Sequence, residues 1–576
     1  MKVILSYLKP HWKLCLITII LMMMEMVGAL LVPTFAGEMI NEGQISTTGF
    51  NTLLITTIKM MSVSLFASIG AIIGGYTCAL LASRVGEDMR KDIYKKSLAL
   101  SMYDFQTFST ASMVTRTISD ISNIQVATVN IFQIVLPVPV IFIVSLILSF
   151  SLDWLIGLIL LGVMLLITLV AIFIIKGASP LFKRLQKLLD NMSKVLLENI
   201  TGVRVIRAFN KQDYETNRLN EAFSTYKVTS VKANIMFASL DGLSYFAINF
   251  FVILIYYLAG YRVSLGLFKL GDITAVIEYA LLALFFIMMM EMVILTLPRA
   301  FECTSRFKEV LDYKVEIIDS VNKDIDIPHS DDVLIFDKVR FHYLDSEEYA
   351  LDDISFTCKR GSTTAIIGGT GSGKSTIASL ILRFSDVSKG SIKFNEINIK
   401  DISQKQLRDN LSYVQQKAWL FSGTIKDNLR LGNKGASEEE MWHALDIAQA
   451  SQFVSKLEHK LDSYVAQGGT NFSGGQKQRI SIARALIKKP ELFIFDDSFS
   501  ALDFKTDASL RHALKEETKD KAVLIIAQRV SSIKHADQII VLNKGKIEGI
   551  GKHEELLINC PLYKEIYESQ TKEVNE

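Results

Sequence analysis

Gly368 is followed by four residues and then by Gly373, Lys374 and Ser375, in the stretch IIGGTGSGKST. A short apolar strand, residues 364–367, runs into this loop, and a helix-like run, TIASLILRF, leaves it. Glycines at this spacing, between a strand and a helix, let backbone N–H groups close around phosphates. The helix N-terminus adds the positive end of its dipole. Lys374 then reaches the β- and γ-phosphates and Ser375 holds Mg²⁺. Gly371 and Thr376 belong to the same loop. The chemistry implied is binding of a nucleoside triphosphate with Mg²⁺.

A carboxylate site lies further along, in FIFDDSFSALD. Residues 492–495 read as a buried strand that delivers Asp496 to the metal, with Asp497 next in line. Between the two motifs lies NFSGGQKQR, residues 471–479. The loop at 368–375, the run Ser473, Gly474, Gly475 and Gln476, and Asp496, in this order and spacing, resemble the marks of an ATP-binding cassette (ABC) ATPase. With six apolar runs ahead of them, the whole chain resembles a half-transporter of the ABC exporter family, of the multidrug-export kind. The Ser-Gly-Gly-Gln signature is the most specific part of the match.

The resemblance implies further roles. ATP and Mg²⁺ are the expected cofactors. Tyr343 would stack on adenine, and Gln416 would join Ser375 and Asp496 at the metal. Residues 473–476 would complete the ATP site of a second cassette, and Asp503 would lie in the loop crossing between the two. Residues 104–116 and 208–215 resemble the cytoplasmic segments that press on the cassettes, although their residues alone also read as plain helical-hairpin tips.

Two departures from the family pattern bear on turnover. The catalytic glutamate falls on Asp497, and the switch histidine falls on Gln528 in IIAQRVSSI. Softer departures are Gln415, where the family usually has proline, and Ala466-Gln467, where it often has Gly-Glu. An aspartate places its carboxylate roughly 1.5 Å, one C–C bond, further back than a glutamate. A misplacement of about 1 Å can cost on the order of 10²-fold in rate. Gln528 cannot become the cation that His becomes near neutral pH. A weakened phosphate-loop half beside an intact signature implies a heterodimer, in which a homologous half-transporter retains the consensus Glu and His. A slow homodimer is the alternative.

These residues need a membrane domain and a soluble domain to position them. Of 576 residues half are hydrophobic, and mean hydropathy is +0.30. Sixty-two basic residues against sixty acidic leave a net charge of +2, so nothing suggests a nucleic-acid surface. Uncharged runs fill 60–82, 129–152, 154–175 and 242–261, and the runs 14–31 and 279–297 are interrupted only by Glu25 and Glu291. Each approaches the ~20 residues that cross a bilayer as a helix. None recurs beyond 310. The expected fold is an α-helical membrane domain of six transmembrane helices (1–310, exporter type 1), a linker (311–333) and a C-terminal α/β P-loop NTPase cassette with a helical subdomain (334–576).

Lys and Arg crowd the loops after the second and fourth runs, whereas residues 37–51 have none. By the positive-inside rule both termini and the cassette face the cytoplasm, in a multi-pass protein of the cell membrane. The opening MKVILSYLKPHWK reads as an amphipathic segment along the inner surface. Five scattered cysteines match neither a zinc site nor a disulfide framework.

For cargo, Glu25 in LMMMEMV and Glu291 in FFIMMMEMVIL each stand among methionines. Ionisable groups at membrane depth usually face a cavity or a partner, and methionine adapts to several apolar shapes. A cavity for small lipophilic or amphipathic cations fits. Lipid-facing methionines, with acids paired inside the bundle, fit as well. A lipid flippase or peptide exporter would run on the same engine.

Overall fold

The computed structural model describes residues 2–43, 50–315, 317, 319, 325–343 and 346–575, apart from scattered side chains. The chain forms two compact units. The first comprises Met1–Ala99 and Phe108–Tyr313, and the second Leu100–Thr107 and Lys314–Glu576.

The first unit is helical. A short helix α1 (Lys2–Leu8) and a turn at Pro10 lead into α2 (Trp12–Gly43). Then come α3 (Phe50–Ala99), α4 (Thr110–Leu152), α5 (Trp154–Thr201), α6 (Gln212–Ser264) and α7 (Leu270–Asp312). Among the described residues five helices are long and apolar enough to cross a membrane: Val3–Gly43, Phe50–Ala99, Thr110–Leu152, Gly242–Ser264 and Leu270–Met290. The sixth apolar run opens α5, and among the described residues its apolar part is Trp154–Val170. At 1.5 Å per residue the 50-residue α3 is about 75 Å long. That exceeds twice the ~30 Å hydrocarbon layer, so α3, like the 48-residue α5 and 53-residue α6, extends well past it.

Small residues set the helix contacts. A Cβ on Gly28 of α2 would lie 2.3 Å from Ala67 of α3, and one on Gly271 of α7 would lie 2.0 Å from the Gly37 carbonyl of α2. Such close approach is how helices associate where no hydrophobic drive separates protein from lipid. Polar bonds reinforce it. Asn41 accepts from the Gly271 N–H at 2.8 Å and donates to Asp272 at 2.9 Å. Asp153 caps α5 and pairs with Arg262 at 2.7 Å. In α4 a π-turn at Arg116–Asp120 aims the buried Asp120 at Arg306 of α7, which grips it through two bonds of 2.9 and 2.7 Å.

The second unit is α/β. Its strands are β1 (Asp332–Phe341), β2 (Leu351–Lys359), β3 (Thr363–Gly368), β4 (Lys389–Phe394), β5 (Ile397–Asn398) and β6 (Leu411–Val414). They continue as β7 (Gly423–Thr424), β8 (Tyr464–Val465), β9 (Leu492–Asp496), β10 (Ala522–Ala527), β11 (Gln538–Asn543) and β12 (Lys546–Gly551). Among the described residues these form an antiparallel sheet β2-β1-β4-β5, a six-stranded sheet β12-β11-β3-β10-β9-β6 and the pair β7-β8. Helices at Ile425–Arg430, Glu438–Ile447 and Gly474–Ile487 occupy the long insertion between β6 and β9.

In the six-stranded sheet β11, β3, β10, β9 and β6 are parallel. Residues along β9 and β10 are buried throughout, as a parallel sheet covered on both faces requires. Parallel strands end at one edge. The loops after β3, β6, β9 and β10 therefore converge, and ligands bind at such carboxyl edges.

Candidate active site

The phosphate loop leaves β3 and enters α8 (Lys374–Ile381). Its glycines answer two constraints. A Cβ on Gly368 would lie 2.2 Å from the Leu542 carbonyl, and Gly373 has φ 98°; neither position admits another residue without strain. Gly371 also has positive φ, at 79°. Lys374 is buried and its Nζ donates to the carbonyls of Gly368 (2.8 Å) and Gly369 (2.7 Å). Burial lowers its pKa, while Asp497 and Asp496 pull it back up. A cation thus sits at the mouth of a loop of N–H groups, where phosphate oxygens can replace the carbonyls.

Asp496 ends β9 and is 5% exposed. It accepts from the Tyr413 hydroxyl at 3.2 Å and from Ser375. Burial raises its pKa, and the adjacent Asp497 raises it further. A hard dication offsets the cost of ionising such a carboxylate, so Ser375 and Asp496 fit the Mg²⁺ that accompanies ATP. Gln416, just beyond β6, reaches the same place and donates to Asp497 at 3.2 Å.

Asp497 has φ 45°, a left-handed conformation that Asp tolerates better than most residues. Its N–H donates to the Ile526 carbonyl at 2.8 Å, and its own carbonyl accepts from Ser500 at 2.9 Å. Gln528 follows β10, whose Ala527 pairs with Ile367 at the start of the phosphate loop. The sheet edge therefore gathers Lys374, Ser375, Gln416, Asp496, Asp497 and Gln528.

Tyr343 packs edge-on against Phe341 and its hydroxyl bonds Thr376 of α8 at 2.9 Å. Its ring is thereby anchored to the phosphate-loop helix, with 43% of the residue exposed.

The signature opens α9 (Gly474–Ile487). Ser473 accepts from the Gln476 N–H at 3.3 Å, and Gln476 accepts from the Ser473 N–H at 2.9 Å. This reciprocal cap holds an exposed helix N-terminus ready for an anion. A Cβ on Gly475 would stand 3.1 Å from the Ala501 carbonyl, whereas Gly474 faces open space. Asp503 caps α10 (Phe504–Glu517), accepting from Thr506 N–H and hydroxyl at 2.9 and 2.7 Å. The Thr506 N–H bond is first among the causes that hold its carboxyl below the usual range.

Tyr413 is a site residue that sequence reasoning missed. Its place depends on the β6–β9 register, in which Tyr413 faces Ile494. Of the acids expected at a cargo cavity, Glu25 is half-buried in α2, its backbone opposite Gly70 of α3. The Glu291 side chain lies outside the described residues. The segment 208–215 spans the break before α6, where Asn210 has φ 52°. Of the segment 104–116, residues 104–107 belong to the second unit and 108–116 to the first.

Comparison with known proteins gives this arrangement a family. Residues 15–288 match the family described as the ABC transporter transmembrane region, and residues 351–500 the family described as ABC transporter. A Mycobacterium tuberculosis protein described as an ABC transporter ATP-binding protein is 31% identical over 98% of this chain and 97% of its own length. An ATP-dependent lipid A-core flippase of Chromobacterium violaceum is 27% identical over 99% of this chain and 97% of its own. The structure of a bacterial Atm1-family ABC exporter with ATP bound superimposes with a TM-score of 0.81 at 23% identity, covering 97% of this chain and 99% of that one. With one transmembrane region, one ATPase domain that takes ATP and Mg²⁺, and the exporter fold, the chain belongs to the ABC transporters as a membrane-embedded half-transporter.

Proposed function

We propose that this chain is the degenerate-site half of a heterodimeric exporter that drives small lipophilic or amphipathic compounds across the cell membrane, with its cassette and both termini in the cytoplasm. One contrast carries the reading. The acid at the catalytic position is an aspartate engaged by Gln416, and the switch position is Gln528, yet the signature cap at Ser473–Gln476 is complete. An intact donor half is of use only to a competent acceptor half, which a partner with Glu and His supplies.

In this mechanism Lys374 and the loop N–H groups bind the phosphates, and Ser375, Gln416 and Asp496 would hold Mg²⁺, which when bound would neutralise charge on the phosphates. Tyr343 supports the adenine. ATP binding closes the two cassettes, with Asp503 at the crossing between them, and the membrane helices switch to the outward-facing state. Turnover at the partner's phosphate loop, completed by Ser473 and Gly475 of this chain, resets the cycle.

For cargo, Glu25 and Glu291 among methionines support a cavity that takes lipophilic cations. The lipid A-core flippase among the relatives favours a second reading, a lipid substrate on the same engine. Export by the reconstituted pair separates them. Glu25→Gln and Glu291→Gln should reduce export of a cationic dye more than of a neutral one. Equal loss for both dyes, with a fluorescent lipid still flipped, supports the lipid reading instead.

A further inference from the structure

Gln570 lies in α11 (Pro561–Asn575), the helix that follows the last strand and helix of the sheet. Its side-chain amide spans the backbone on both sides of Arg529. Nε2 donates to the Gln528 carbonyl at 2.8 Å, and Oε1 accepts from the Val530 N–H at 2.8 Å. One side chain thus supplies the donor and acceptor that a neighbouring strand would supply, at the point where β10 ends. A carboxylate of the same reach would lack the donor.

The helix that carries it is firmly seated. Tyr563 is fully buried, and Ile566 and Tyr567, at helical spacing with it, pack against the core that contains Val530 and Ile533. The Tyr563 hydroxyl bonds His553 at 2.8 Å, and the rings of Tyr563 and Tyr567 meet the His553 ring edge-on. On its other side the same β10 end holds the catalytic acid, through Asp497 N–H to the Ile526 carbonyl at 2.8 Å. Gln528 is exposed between these two fixings, so its backbone is set by them.

We infer that Gln570 is a positioning residue for hydrolysis: it fixes the backbone from which Gln528 faces the γ-phosphate and so sets the rate at this chain's own site. The inference rests on the reading of Gln528 as the switch residue. It makes α11 part of the ATPase machinery, with no contact to nucleotide.

Gln570→Glu provides the test, because it keeps shape and changes one bond. The carboxylate still accepts from Val530 N–H but faces the Gln528 carbonyl with an acceptor; once protonated it donates as the amide does. Single-turnover hydrolysis of radiolabelled ATP by the full chain is compared between variant and parent from pH 5 to pH 8. The ionisable groups on the surrounding elements, Asp507, Arg511, Arg529, Lys534, His535, His553 and Glu554, are common to both proteins, so the ratio isolates residue 570. The variant should be slower by about fivefold at pH 8, the worth of one hydrogen bond, with unchanged ATP affinity, and should recover toward the parent as pH falls. In a Gln528→Ala background the effect should vanish. A variant equal to the parent at every pH, or one whose deficit ignores pH, overturns the inference. If Gln528→Ala itself leaves the parent rate unchanged, the switch assignment fails and the inference with it. If Gln528→Ala slows turnover while Gln570→Glu does not, the inference alone fails.

Discussion

Gln416 donates from Nε2 to the Asp497 carboxylate over 3.2 Å. The second residue after β6 and the first after β9 therefore meet at the carboxyl edge of the sheet. The position on which the family's catalytic glutamate falls is thereby bonded to a residue expected at the metal.

Restoring both consensus residues should release that restraint. The double substitution Asp497→Glu and Gln528→His should raise phosphate release by the purified chain by about 10²-fold, the return for correcting a misplacement of about 1 Å. An unchanged rate would mean that neither residue limits turnover.

Lys374→Ala should weaken ATP binding at this site by about ten- to a hundredfold, the loss of a charge-assisted contact. Because burial already disfavours the charged lysine, the melting temperature without nucleotide should not fall. Titration with a fluorescent ATP analogue and a thermal melt check the two halves. Unaltered affinity would remove Lys374 from the site.

Burial holds the Asp496 pKa above that of an unfolded aspartate. The folded state therefore keeps its proton to higher pH, and stability falls as pH rises through the folded pKa. Asp496→Asn removes that loss. Without Mg²⁺ and nucleotide, the variant should melt above the parent at pH 8, and the gap should narrow toward pH 4. A gap that widens on acidification would contradict the burial argument.

Two glycines in membrane helices should answer alanine differently. Gly271→Ala drives a methyl into the Gly37 carbonyl and should cost about 1–3 kcal/mol, as overpacking does. Gly75→Ala meets nothing within 4 Å and should be neutral or stabilising, since alanine favours helix. Thermal melts in detergent compare them.

How far the sequence could be read follows from these same residues. Lys374, Ser375 and Asp496 were legible because their motifs carry their own local context, strand then loop then helix. The membrane helices were legible because bilayer thickness sets their length. The helix beginning at Trp154 continues past its apolar run to Thr201. Tyr413 and Gln570 were not legible. The first reaches Asp496 through the β6–β9 register, and the second reaches Gln528 from a helix 42 positions on. Neither register nor docking is written in a local pattern. Tyr343 was read through its ring, while its hydroxyl bond to Thr376 needed coordinates.

The proposed division of labour between two cassettes is tested most directly by two substitutions in this one chain. ATP hydrolysis is measured for the complex with a half-transporter that carries Glu and His at the matching positions. Ser473→Ala disrupts the cap that would complete the partner's site and should abolish most of the activity. Asp497→Asn alters the acid of this chain's own site and should leave most of it. Loss of turnover on Asp497→Asn, with Ser473→Ala indistinguishable from the parent, would contradict the assignment.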